Sequence, residues 1–182
     1  MRLRFVTLAL LLFLTMPLTA QLGGREPLDE REIDKLREVA QEPDKRLKLL
    51  VEFARARLAA IDQLRADPRS AADRGIRVHD LLEDFTKLVD EMGDNIDDYA
   101  DRKYDLRKAL KTVIDGDTEF QGKLRALKEQ TAGAGAKAGA ETGDYTFALQ
   151  NAVDAVDMSM DDSRKLLVEQ VASFKDEGKK KK

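Results

Sequence analysis

Residues 78–113, "VHDLLEDFTKLVDEMGDNIDDYADRKYDLRKALKTV", carry the pattern on which the fold turns. Val78, Leu82, Phe85, Val89, Met92, Ile96, Tyr99, Lys103, Leu106, Leu110 and Val113 follow one another in alternating steps of four and three, and only Lys103 is not apolar. A repeat held in phase over this span predicts one long helix packed along a seam, with the left-handed supercoil that a 3.5-residue period imposes. Gly75 and Gly93 weaken such a helix by about 1 kcal/mol each relative to Ala, which makes Gly93 the expected place for a local bend. The "DGD" at 115–117 predicts an end or a sharp kink, after which Phe120, Leu124 and Leu127 continue in a shorter helix.

Helical spacing extends in both directions. Upstream, Ile33, Leu36, Ala40, Leu47, Leu50, Ala54, Ile61 and Leu64 form a second stripe, interrupted at Pro43 and Arg57. Pro43 either opens a new helix at its first turn or kinks a longer one, because it has no N–H to give the preceding turn. Downstream, Asp144 is a good capping residue for a third stripe through Leu149, Val153, Val156, Met160, Leu167, Val171 and Phe174, with Ser163 as its polar step. Between them "TAGAGAKAGAETG", residues 131–143, has too little apolar surface to offset ordering and reads as a flexible linker. Strand signals are missing. The expected fold is therefore all-α: an elongated, antiparallel, coiled-coil-like helical bundle forming a single domain over 29–177. Its helices are expected at about 29–67 with a break at Pro43, 70–115, 117–131 and 144–177, after a flexible lead at 21–28 and before a Lys-rich tail at 178–182.

The first twenty residues, "MRLRFVTLALLLFLTMPLTA", place Arg2 and Arg4 ahead of an apolar run that ends near Pro17 and Ala20. This is the build of a secretory signal peptide, cleaved after Ala20. The run is short beside the roughly 20 apolar residues that span a bilayer, and no comparable stretch follows. The mature chain is thus expected to be periplasmic or secreted, without a transmembrane segment. It has no Cys, which excludes disulfides, attachment of c-type haem and a lipid-bearing N-terminal Cys. Aromatic residues make up 5% of the chain and charged residues 37%, a balance that suits long polar-faced helices better than a round core. Without the leader the charge is about −5, and without the terminal lysines about −9, which argues against nucleic acid, whose binding rests on neutralising phosphates.

Residues 90–105, "DEMGDNIDDYADRKYD", concentrate seven carboxylates. At 100° per residue, Asp90, Glu91, Asp94, Asp97, Asp98, Asp101 and Asp105 fall within an arc of roughly 120°, opposite the seam, as the polar face of an amphipathic helix does. An EF-hand register fails: counting from Asp94 puts Tyr99 sixth, and counting from Asp115 puts Phe120 sixth and Ala126 twelfth, where Gly and Glu are needed. A carboxylate-bridged di-metal bundle would want paired Glu-x-x-His motifs, but the only histidine is His79, with Ile76 three before it. No metal or cofactor is expected. Like charges at Asp90, Asp94 and Asp98 oppose the helix by about 0.2–0.5 kcal/mol a pair, so a basic counterpart is expected. Arg55 and Arg65 within the bundle would serve, as would a basic partner or loosely held cations.

No catalytic constellation accompanies the stripe. His79 with Glu83 four residues on reads as a helix-surface pair, and no Ser or Cys stands with a base and an orienter. Met158 and Met160 in "DMSMDD" are read as core fillers rather than thioether ligands for copper. The Gly-rich linker has no phosphate-cradling pattern. The tail, Lys179, Lys180, Lys181 and Lys182, suits a solvated helix end, where cations favour the C-terminal dipole, or an electrostatic contact with an anionic envelope surface. A terminal lysine on an exported helical protein resembles the peptidoglycan-linked outer-membrane lipoprotein of Braun's type. The resemblance covers the last residues only, the chain lacks the Cys that would carry the lipid, and no role is carried over.

The expected function is that of a non-enzymatic interaction or spacer protein of the cell envelope, with a protein partner or self-association. Electrostatic contact is expected at Asp90, Asp94, Asp98 and Asp101 and at the lysine tail. The alternatives are a periplasmic holdase-type chaperone that grips unfolded clients, and an ion-binding bundle that uses the stripe 90–105.

Overall fold

The computed structural model describes residues 25–133 and 145–180, with side chains up to residue 173 apart from Gly133. The leader at 1–20, the first part of the lead, residues 134–144 of the Gly-rich segment with the Asp144 cap, and Lys181 and Lys182 lie outside the described residues. All the regular structure described is helical: α1 (Glu30–Glu38), α2 (Pro43–Ala66), a short 3-10 turn (Pro68–Ser70), α3 (Arg74–Asp101), α4 (Arg107–Gly133) and α5 (Thr146–Lys180). At 1.5 Å per residue, the 35 residues of α5 reach about 52 Å.

Local chemistry explains the boundaries. Asp29 caps α1 in a reciprocal box: its carboxylate accepts from Glu32 N and its own N–H donates to the Glu32 carboxylate. Pro43 opens α2 at its first position, where its missing N–H has no cost. Ser70, buried between α2 and α3, donates to the carbonyls of Leu64 and Asp67.

The seam of residues 78–113 is not one helix. Its apolar members are all buried, but the chain turns at 102–106 and the seam is shared by α3 and α4. Lys103 has φ 65°, Lys103 N donates to Ala100 O, and Tyr104 N donates to Tyr99 O. That pairing is a Schellman ending, here with Lys in the left-handed position usually given to Gly. Gln170 of α5 holds the turn in place, accepting from Leu106 N and donating to Tyr104 O. The "DGD" at 115–117, expected to end or kink a helix, lies inside an unbroken α4. Gly116 is buried there because α2 comes close: an added Cβ would lie 2.8 Å from Val51 Cγ1. Asp117 is also buried.

Helix α2 packs on α3 and α4, and α5 packs on the same two, so the four long helices form a ring in the order α2, α3, α5, α4. Arg46 near the start of α2 reaches Asn95 and Glu91 late in α3, and Tyr99 donates to Ala40 O, so α2 and α3 run antiparallel. Asp44, Arg55, Asp62 and Arg65 of α2 meet Lys108, Glu119, Lys123 and Gln130 of α4 in ascending order, so this pair is parallel. Lys128 meets Gln150, and Gln121 meets Asp157, making α4 and α5 antiparallel. Helix α3 then runs parallel to α5. The expectation of antiparallel packing throughout holds for only two of the four adjacent pairs, because the turn at 102–106 carries the chain to the diagonal position rather than to a neighbour. Phe85 and Phe120 meet edge to face across that diagonal, their centroids 5.3 Å apart.

From Arg25 onward the lead expected to be flexible is fastened to the bundle. Arg25 pairs with Asp80 and Asp84, Lys87 donates to Arg25 O, and Arg57 donates to Pro27 O and binds Glu32. Arg57, the polar step in the first stripe, is thereby accounted for.

Candidate functional site

Helices α3 and α5 run side by side without closing fully, leaving a groove of about 770 Å3. Val89, Ile96, Ala155 and Leu166 contribute apolar surface, and Met158 lies at its edge, 67% exposed. Asp90, Asp94, Asp97 and Asp101 line the groove from α3, and Asp162 and Glu169 from α5. Lys165 is the one cation in the lining. Among the described residues, none of these six carboxylates has a salt-bridge partner. Asp90 shows the consequence: its carboxyl is held above the usual range, by partial burial first and by the charge of Asp94 second.

The acidic stripe is thus split by the fold. Asp90, Asp94 and Asp101, three of the residues expected to make electrostatic contact, face the groove together with Asp97. Asp98, the fourth, turns away and pairs with Arg102. Glu91 pairs with Arg46, and Asp105 pairs with Arg107 in the turn, where the hydrogen bond from Arg107 holds its carboxyl below the usual range. Arg55 and Arg65, expected to offset the stripe, do not reach it: they face α4, where they meet Glu119 and Gln130. Helix α2 has two neighbours, and these two arginines lie on the side turned from α3. Lys179 and Lys180 fall in the last turn of α5, beyond the described side chains.

Several residues of this region carry no sequence signal strong enough to place them. Met158, read as core, is exposed at the groove, while Met160 is buried as expected. Beneath the groove wall, Asp117 of α4 is 0% exposed, and its Oδ2 accepts from Ser159 Oγ at 2.9 Å. Its Oδ1 has no hydrogen-bond partner among the described residues. Burial pushes this carboxyl up to about 7, against the opposing pull of the Ser159 hydrogen bond and the charge of Arg164. The one sequence hint is that Ser163, itself buried, is a polar step in the α5 stripe.

His79 lies between Asp80 and Glu83, 3.6 and 3.7 Å from their oxygens, on the surface of α3. Among the described residues there is no group of three or more His, Asp or Glu placed to hold a metal ion, and no helix is long and apolar enough to cross a membrane. Comparison of the chain with protein-family models, curated proteins and solved structures finds no match, so the reading of the groove rests on its own geometry.

Proposed function

We propose that this chain is an exported, non-enzymatic interaction or spacer protein of the cell envelope, and that the α3–α5 groove is where it holds a partner. The observation that carries the reading is the groove's uncompensated charge: six carboxylates around an apolar floor, with no salt-bridge partner for any of them among the described residues. A segment that fits must be cationic and amphipathic, presenting apolar residues to Val89, Ile96 and Leu166 and Lys or Arg to the rims. The leader-like first twenty residues support export.

A labelled helical peptide of Lys and Leu, with Leu at i, i+3, i+4 and i+7 and Lys on the other face, tests this. The intact protein should bind it with an affinity that falls with salt. Asp94→Asn, Asp97→Asn and Asp101→Asn together should weaken binding at least about tenfold, since each removes a charge facing the ligand. Glu38→Gln, Asp115→Asn and Glu129→Gln, the same change in net charge placed elsewhere, should leave it within about twofold. Equal losses in the two triple variants would mean that the probe reads overall charge and that the groove is not a site.

A second reading, the holdase-type chaperone, has one observation in its favour. Three of the large exposed apolar side chains, Phe147, Met158 and Val168, are on α5 within an arc of roughly 80°. If it applies, the protein suppresses aggregation of a reduced, unrelated client near stoichiometric ratio, and Phe147→Ser with Val168→Ser removes the effect; no suppression by the intact protein discards it.

A further inference from the structure

We propose that the packing of α4 on α5 around the buried Asp117 is a proton-operated latch, closed while the carboxyl is neutral and opened when it ionises and must reach water. Asp117 has no access to solvent, and its second oxygen has no hydrogen-bond partner in the described structure. Burial favours the neutral form, which avoids the charge that the site penalises, although the hydrogen bond from Ser159 by itself favours the ionised one. The ionised form needs water or a cation. The elements packed around it supply little. Helix α5 offers Arg164, an exposed residue whose field reaches the carboxylate. Helix α2 presents Val51 beside Gly116, and α3 presents Phe85 to Phe120, and no charge from either bears on Asp117. The shift of this carboxyl to about 7 agrees with that inventory.

Parting α4 from α5 at this level hydrates the ionised carboxylate, and among the described residues Ser159 is the one side chain that hydrogen-bonds it there. Ser159 also lines the groove between α3 and α5, so movement of α5 changes the groove's width. The latch itself rests on the fold alone; its control of partner docking rests on the function proposed above.

Hydrogen exchange of the full chain tests the latch, with rates corrected for the intrinsic pH dependence of exchange. In the open form Asp117 titrates near the ordinary aspartate value, so the opening constant rises as pH climbs between that value and 7. Amides of α5 around residues 156–163 should therefore open at least about tenfold more at pH 7 than at pH 5. Asp117→Asn should flatten the profile, Asp117→Ala should do the same if the amide rearranges the site, and His79→Gln should leave it unchanged. A flat profile in the intact protein, or one kept by both Asp117 variants, overturns the latch. Binding of the Lys/Leu peptide at pH 5 and 7 gives the other arm: exchange that follows the prediction while no peptide binds at either pH leaves the latch standing and removes the docking reading.

Discussion

A methyl group added at Gly116 would lie 2.8 Å from Val51 Cγ1 and 3.4 Å from Cγ2, whereas one added at Gly93 would meet nothing within 4 Å. The two glycines therefore respond oppositely to the same change. Gly93→Ala should raise stability by about 0.5–1 kcal/mol through helix propensity. Gly116→Ala should lower it by about 1–2 kcal/mol, because Val51 is β-branched and stiff at χ1, and overpacking outweighs the propensity gain. Chemical denaturation of both variants checks the pair, and Val51→Ala should make Gly116→Ala less harmful than it is alone. Asp117 sets a pH dependence at the same scale. Its folded value is raised to about 7 from an ordinary 3.8. Its contribution is thus fully favourable below about 3.8, is lost progressively as pH rises from there to 7, and stays lost above. At pH 8, Asp117→Asn should be more stable than the parent by about 2–4 kcal/mol, and the difference should vanish near pH 4. A parent whose denaturation midpoint does not fall between pH 5 and 7 would contradict this.

The α3–α4 turn shows what a heptad can hide. Tyr99, Leu106 and Leu110 are all buried, so the apolar spacing carries straight across a chain reversal, and Lys103 alone breaks the pattern. The period records which residues face a core; it does not record whether the helix between them is continuous. The ending of α3 is written instead in a left-handed Lys, which nothing in the local sequence demands, and in Gln170, a partner 64 residues beyond Leu106. Gln170→Ala should cost about 1–3 kcal/mol, since it leaves Leu106 N–H buried without an acceptor. Lys103→Gly should gain about 0.5–1 kcal/mol by relieving the left-handed strain. The "DGD" segment misleads for the converse reason: Gly and Asp favour turns, but here close helix packing and a buried carboxyl hold them in a helix. The acidic stripe is legible as a polar face from its period. Its division between Arg46 on one side and an open groove on the other depends on α5, which no local pattern places beside α3.

At the scale of the molecule, the fold arranges two antiparallel pairs so that α3 and α5 meet in parallel, each bringing carboxylates to the line where they meet. On the other faces several charges are paired between elements: Arg46, Arg55, Arg57 and Lys108 each find a carboxylate on another helix or on the chain before α2. The convergence of six carboxylates on one apolar cleft leads us to place the function there. We propose for the molecule as a whole that it leaves the cytoplasm and is held by charge at an envelope partner. The most direct test follows an internally tagged, native-level protein through washes in low salt, high salt and detergent, then through cell-wall digestion, with the N-terminus of the recovered chain sequenced. The expected result is a chain beginning at Gln21, held through the low-salt wash and released by high salt, with the Asp94, Asp97 and Asp101 triple variant already free at low salt. Recovery in the cytoplasm with residues 1–20 intact, or a triple variant retained as firmly as the parent, would contradict it.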